Sequence, residues 1–381
     1  MDIAIVGAGI MGLVTAWALV RAGHRVQVFD QGPIPNPVSS SHDDHRVIRQ
    51  AYGAMSGYAA LVDDAYRAWD ALWRDLGRRH LVETGMLVLA APGEGWAQES
   101  ADDMTRRGVP FRWIDAEEQE RLVPMLVPRR HGRAFHTPTG GVLLASRIVA
   151  DLARYLAGRG VALHEGHAAV AIDRRRPAVE LADGRSIGAD LIVAAAGAWL
   201  PKLMPDVAGR LVPSRQIVVY LAPPPARAAS WSAAPIIADL DGGNGFYLLP
   251  CVAGTGLKLG DHRFSGGGAP DDDRTAAPAE IEALMANCRA RLVGATDYNV
   301  VGSKVCYYAL AEAERFDVRP LAQDRVWVVN ACSGHGFKFA AWLGLGIADV
   351  LAGRRDHSDF TRRAAGAPGF TSQQSQPIFS R

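Results

Sequence analysis

The stretch Ile3-Ala4-Ile5-Val6-Gly7-Ala8-Gly9-Ile10-Met11-Gly12 decides the fold, read with the residues up to Ala22 and the run Val26-Gln27-Val28-Phe29-Asp30 behind them. Four apolar residues in a row suit a strand buried on both faces. Glycines break the strand, and Leu13, Ala16, Trp17 and Val20 then share one face of a helix. A second apolar strand ends in an acid. Strand, glycine turn, helix, strand and terminal acid in one unit give G-x-G-x-x-G the context that separates a dinucleotide site from a chance match. Gly7 allows the tight turn, Gly9 removes a Cβ that would hold a pyrophosphate off, and Gly12 lets the helix lie on the strand. The helix N-terminus offers unpaired N–H groups to phosphate. Asp30 suits ribose hydroxyls and repels a 2′-phosphate, which disfavours NADP. The motif itself leaves FAD and NAD open.

Working outward, 381 residues suggest about two domains at roughly 100–200 residues each. Apolar residues make up 49% and charged residues 21%, a globular balance, and a formal charge of +1 gives no field to recruit nucleic acid or an anionic membrane. No apolar run is long enough to span a bilayer, and the glycine turn falls where the apolar core of a signal peptide would lie. Cys251, Cys288, Cys306 and Cys332 are scattered without C-x-x-C, so neither a zinc site nor a disulfide framework is indicated, and no metal is expected. The chain reads as cytoplasmic.

Beyond Asp30 a proline-rich loop, Gly32-Pro33-Ile34-Pro35-Asn36-Pro37, leads into Ser39-Ser40-Ser41-His42-Asp43-Asp44-His45-Arg46-Val47-Ile48-Arg49-Gln50. Histidines and arginines crowd between serines that favour caps and turns, so composition alone allows a solvated polar loop. Position argues for more, because this segment follows the second strand of a dinucleotide unit, near the strand ends where ligands bind. Residues 60 to 77 form the clearest amphipathic helix, with Leu61, Val62, Ala65, Tyr66, Trp69, Leu72, Trp73 and Leu76 in one stripe. That aromatic row reads as core packing without chemistry. A strand at Gly85 to Ala90, a short helix at Ala116 to Leu122, a turn at Pro138 to Gly141 and a helix at Ser146 to Leu156 read as scaffold.

From Val161 strands return, through a hairpin at Ala182-Asp183-Gly184-Arg185, to the buried run Asp190 to Ala196 that enters Gly197. That run reads as a strand returning to the nucleotide domain, which makes the domain discontinuous. Residues 213 to 222 and 246 to 260 suit an antiparallel sheet roofing a pocket, and 279 to 292 a helix. Val326 to Phe339 is another buried strand broken at glycines, and the helix Ala340 to Leu351 stops before Gly353. The start of that helix is a second electropositive end. Beyond Pro368 the Ser/Gln-rich tail reads as disordered.

Together these residues resemble the D-amino-acid-oxidase-type flavoprotein superfamily and, within it, the branch of monomeric sarcosine oxidase and N-methyltryptophan oxidase. The resemblance runs from the dinucleotide motif to Phe360. It is carried by Ser40-Ser41-His42 with Asp44, Arg46, Ile48 and Arg49; by Gly245-Phe246-Tyr247 with Pro250; by Gly256-Leu257-Lys258-Leu259-Gly260 with His262; by Lys304-Val305-Cys306-Tyr307-Tyr308; and by Ser333-Gly334-His335-Gly336-Phe337-Lys338-Phe339. It implies an α/β (α+β) fold with a Rossmann-like FAD-binding domain of residues 1–80, 142–212 and 302–365. Residues 81–141 and 213–301 would form a second, antiparallel-sheet substrate domain, with 366–381 as tail.

The same resemblance implies FAD, bonded through a thioether at Cys306. It carries the cofactor contacts onto Gly7, Gly9, Ile10, Met11, Gly12, Asp30, Ser41, His42, Arg46, Val170, Ala196, Gly197, Trp199, Cys306, Gly334, Gly336, Phe337 and Lys338. Arg49 and Lys338 would clamp a substrate carboxylate, an arginine fork beside a lysine point charge. Lys258 would activate oxygen, as a buried ammonium that stabilises superoxide while it forms. Tyr247, His262 and Tyr308 would surround the amine, with His262 tuning its protonation because imidazole titrates near neutral pH. Cys332 matches no linkage position and reads as structural. The implied reaction is hydride transfer from the carbon beside a secondary amine, giving an imine, with O2 reduced to H2O2. Partners would be a small carboxylated amine and O2, with no nucleic acid and no membrane, in a monomer or weak homo-oligomer.

Two departures bear on the substrate. Asp43 and His45 stand where sarcosine oxidases commonly carry glycine and threonine, and Ala313-Glu314-Arg315-Phe316 replaces Asp-Glu-His-Phe. They weigh against sarcosine itself and leave a larger N-methyl amino acid or a cyclic imino acid. Alternatives are a flavin dehydrogenase on the same substrates, an oxidase of primary amino acids of the glycine or D-amino acid type, and a nucleotide-binding module without turnover.

Overall fold

The structure, a computed structural model, describes residues 1–367 apart from 129–130, 241–244 and 322–324, so the tail beyond Pro368 lies outside the described residues. Asp2–Val6 pairs in parallel with Arg25–Phe29 on one side and Leu191–Ala194 on the other. Ala162–His164 and Val326–Asn330 extend this sheet in parallel, and Asp317–Pro320 closes one edge antiparallel. Ile3 to Val6 are at most 4% exposed. Their apolar run lacks alternation because helices cover one face of the sheet and the meander Ala169–Asp173, Ala178–Leu181 and Ser186–Gly188 covers the other. The helix Ile10–Arg21 rises from the glycine turn, and Ala340–Leu351 packs along it in the same core. A Cβ on Gly12 would sit 1.8 Å from the Gly7 carbonyl oxygen, and one on Gly7 would sit 2.5 Å from that of Ala195. Only glycine lets turn, helix and returning strand close together.

A second sheet runs in the order Asn299–Ala311, Leu211–Ala222, Leu257–Gly260, Phe246–Leu249, Ile236–Leu240, Met86–Ala90, Arg133–Thr137, Arg112–Ile114. Neighbours are antiparallel except Ile236–Leu240 with Met86–Ala90, which run parallel. The sheet expected to be antiparallel is therefore mixed, because these two strands are joined by a long excursion through the other sheet and not by a hairpin. Lys304 to Tyr308 pairs with Ser214 to Val218 inside this sheet, although the boundary at residue 302 groups it with the nucleotide domain.

The polar segment after the proline loop contains the strand His45–Ile48, which pairs with Gly141–Leu144 in a small third sheet completed by Leu81–Glu83. Its β-branched Val47 and Ile48 favour pairing over an open loop. The helix expected at 60 to 77 spans Ser56–Leu76, with its stripe buried except for Tyr66 and Leu76, which are half-buried. Another helix, Trp96–Arg107, buries only Ala97, Ser100, Ala101, Asp103 and Met104, a stripe too small and polar for periodicity to reveal. No helix among the described residues is long and apolar enough to cross a membrane.

Candidate active site

A cavity of about 500 Å³ takes its wall from both large sheets. Gly7, Gly9, Ile10, Met11, Asp30, Ser41, Val170, Ala196, Gly197 and Trp199 line it. So do Arg46, Arg49, Tyr247, Lys258, His262, Tyr308, Gly334, Gly336, Phe337 and Lys338. Gly12, His42 and Cys306 are not in that wall. Gly12 faces the Gly7 carbonyl, His42 takes a hydrogen bond on its own carbonyl from Lys304, and Cys306 is buried in the strand Asn299–Ala311. The wall also holds residues that no motif marks: Met86, Ile236, Ala238 and Leu249 from the mixed sheet, Asn330 at the end of the last parallel strand and Cys332 just beyond it. Cys332, read as structural, is thus a cavity residue.

At the glycine turn, Asp30 Oδ2 accepts the Ala8 N–H at 2.8 Å, and Oδ1 accepts from Gly32 N at 3.0 Å and Asn36 Nδ2 at 2.7 Å. The carboxylate braces the turn as well as facing the cavity. Ser41 Oγ accepts the Ile10 N–H at 2.9 Å, which ties the polar segment to the helix start. A Cβ on Gly9 would meet only that Ser41 oxygen, at 3.3 Å, so the cradle stays open toward the cavity. Both amide atoms of Asn330 are buried without a partner among the described residues, although Asn330 lines the cavity. A buried donor and acceptor of this kind call for a polar ligand edge. Open cradle, acidic strand end and orphaned amide fit a flavin dinucleotide.

Arg49 directly follows the strand His45–Ile48, and Lys338 lies in the short helical turn Phe337–Phe339. They meet over one ring: the Arg49 guanidinium carbon is 4.3 Å and Lys338 Nζ 5.3 Å from the Tyr52 centroid. Arg49 also faces Trp96 at 5.4 Å and donates to the Ala51 carbonyl, while Lys338 donates to the His335 carbonyl at 2.7 Å. Neither forms an ion pair among the described residues. Burial lowers the Lys338 pKa well below the ordinary ammonium value, and Arg49 lowers it further. Lys338 is buried and Arg49 half-buried, and Glu314 pulls on Arg49 without pairing with it, so two cations this close without an ion pair make a receptor for an anion. The Trp69 indole donates to the Lys338 carbonyl at 2.7 Å and stacks on Phe337, so the helix Ser56–Leu76, read as packing alone, also fixes the lysine's segment.

His262 lies against Tyr247, ring centroids 5.4 Å apart. Its ring is exposed into the cavity, yet the protein atoms crowded around it displace water, and with Arg49 and Lys338 they push its pKa down to about 4. The expectation of titration near neutral pH gives way to an imidazole that stays neutral. Burial raises Tyr247 and Tyr308, which keep their phenolic protons. Gly260 makes room for Tyr247, since a Cβ there would lie 2.2 Å from the tyrosine hydroxyl.

Lys258, 3% exposed, donates to Asp43 Oδ2 at 2.5 Å and to the His45 carbonyl at 3.2 Å. Asp43 also accepts from Arg46 and from the Tyr220 hydroxyl. Burial would raise the Asp43 carboxyl, but Lys258 and Arg46 overrule it and hold the group well below the usual carboxylate range. Burial brings Lys258 down to about 8 against the pull of Asp43. His45 hydrogen-bonds Thr255 Oγ1 at 2.6 Å, and burial pushes it to about 3, so it is neutral. Cys306 neighbours this cluster: burial pushes its thiol up to about 11, opposed by Arg46. In the departing segment, Phe316 stacks on His335 at 4.6 Å, the Glu314 carbonyl meets His335 Nε2 at 3.0 Å, and Arg315 is exposed.

A parallel-sheet nucleotide cradle that opens onto buried cations under a second sheet defines a dinucleotide-dependent oxidoreductase. The chain belongs to the FAD dependent oxidoreductase (DAO) family, which it matches over residues 2–350. It is similar to the monomeric sarcosine oxidase of Bacillus sp. (strain B-0618), 27% identical over 370 residues and covering 93% of each chain. It is also similar to the N-methyl-L-tryptophan oxidase of Yersinia pestis (strain Pestoides F), 24% identical, covering 90% of this chain and 92% of that one. Among solved structures, the open form of NikD, an unusual amino acid oxidase essential for nikkomycin biosynthesis, superposes with a TM-score of 0.81. That pair is 21% identical over 98% of this chain and 99% of the other, which establishes the shared fold.

Proposed function

We propose that the protein binds FAD and oxidises a carboxylated secondary or cyclic amine, an N-methyl amino acid or a cyclic imino acid, to its imine while O2 becomes H2O2. The observation that carries this reading is the meeting of Arg49 and Lys338 over Tyr52, a half-buried and a buried cation that form no ion pair among the described residues. A substrate carboxylate held there would bring its α-carbon and amine beside His262 and Tyr247, which lie in the same wall. The neutral imidazole offers a lone pair to the amine N–H. Met86, Ile236, Ala238 and Leu249 add apolar surface suited to a substituent larger than hydrogen.

When bound, FAD supplies the hydride acceptor. Gly9 and the start of the helix Ile10–Arg21 would hold its pyrophosphate, and Asp30 and Asn330 its polar edges. The amine loses two hydrogens with two electrons, and both reappear in the peroxide. Cys306, deep beside Arg46, is the proposed thioether site. Four free cysteines suit a reducing cytoplasm. Peroxide release tests the reading with a panel of sarcosine, larger N-methyl amino acids, cyclic imino acids and free amino acids. Peroxide from the carboxylated secondary or cyclic amines is expected. Turnover with dyes but no peroxide would mean a dehydrogenase, and turnover only with free amino acids would mean an oxidase of primary amines.

A further inference from the structure

The cluster around Lys258 holds a carboxylate that the amine chemistry does not use. The Asp43 side chain is 3% exposed. It accepts from three side chains on three separate elements: Lys258 from the strand Leu257–Gly260, Arg46 from His45–Ile48 and Tyr220 from Leu211–Ala222. Its own backbone is pinned as well, because its carbonyl accepts from Ser146 N at 2.9 Å and Ser146 Oγ at 2.8 Å. A buried carboxylate so fully engaged fixes whatever it holds.

What it holds is the ammonium of Lys258, which also faces Arg46, Cys306 and the His45 carbonyl. Two of the three N–H bonds of Lys258 have protein acceptors, and the third has none among the described residues while the lysine lines the cavity. Without Asp43 the ammonium would be buried next to a guanidinium with no anion between them. Such a lysine sheds its proton. Asp43 thus counters both burial and Arg46, and a neutral lysine would offer no positive charge to oxygen.

We propose that Asp43 is a positioning residue for the oxygen half of the reaction: it anchors Lys258 and keeps the lysine protonated beside Arg46, with one N–H aimed into the cavity. This rests on the oxidase reading above. O2 takes two electrons and two protons to leave as H2O2, and the first electron creates an anion that the Lys258 charge stabilises. Asp43 touches neither amine nor O2.

The test uses holoenzyme reduced by light, so that no amine is needed, and follows its reoxidation by O2 across the neutral and alkaline range. In the natural protein the rate should fall as Lys258 loses its proton. In Asp43→Asn the fall should move about 1–3 pH units lower, making reoxidation near pH 8 about fivefold slower or more. Asp43→Glu, which retains the charge, should restore most of the rate and guards against a variant that simply misfolds. A second readout is independent of oxygen: the flavin midpoint potential plotted against pH should bend where Lys258 titrates, and the bend should shift lower in Asp43→Asn. An unmoved bend and profile, or faster reoxidation in Asp43→Asn, overturns the proposal. If the natural protein were inert to O2 the oxidase reading would fail, while the bend in potential would still decide whether Asp43 governs the lysine's proton.

Discussion

His262 was visible in the sequence as a residue near the amine, but its protonation was not, because that depends on two cations from distant segments. With Arg49 and Lys338 beside it the imidazole stays neutral, its pKa near 4. Any rise of kcat/KM through neutral and alkaline pH should therefore belong to the substrate amine, whose free base carries the lone pair. Measured with substrates of different basicity, the limb should follow each amine's own pKa and persist in His262→Asn. A limb fixed at one pH for every substrate would assign it to the protein. Arg49 was legible as a motif position, while its setting against Tyr52 and Trp96 was not. Arg49→Lys keeps the charge and loses the planar fork, so KM for the carboxylated amine should rise about 10–100-fold with the flavin spectrum unchanged.

At the scale of elements, the glycine turn shows how far local sequence reaches. Spacing alone distinguishes the duties of its three glycines, and the backbone contacts keep them apart: Gly12 is blocked by a carbonyl at 1.8 Å, whereas Gly9 opens toward the cavity. Gly12→Ala should cost about 1–3 kcal/mol or more from overpacking and lower the melting temperature of the apoprotein. Gly9→Ala should leave that melting temperature nearly unchanged while weakening FAD retention. Equal effects of the two substitutions would contradict this division. Long, strongly periodic elements such as Ser56–Leu76 and Ala340–Leu351 could be read directly. The helix Trp96–Arg107 could not, for want of large apolar residues, nor could the strand His45–Ile48, whose charged residues mask two β-branched ones.

Over the whole molecule, what sequence cannot give is convergence. The parallel pairing of Met86–Ala90 with Ile236–Leu240 joins segments that share no local signal, and it builds the apolar side of the cavity. The strand Asn299–Ala311 brings Cys306 next to the Lys258 cluster, again by tertiary pairing alone. If Cys306 bonds the flavin, acid-precipitated protein should be yellow and its supernatant colourless. Cys306→Ser should reverse that distribution, and free yellow chromophore from the natural protein would refute the bond.

The proposed reaction depends on Arg49 and Lys338 acting as one receptor for a carboxylate beside the flavin. Its most direct test is the rate of anaerobic flavin bleaching by a reactive N-methyl or cyclic amino acid compared with the corresponding carboxamide. Rapid bleaching by the acid is expected, with bleaching by the amide at least about 100-fold less efficient at low concentration. Equal bleaching by both, or by neither, would contradict it.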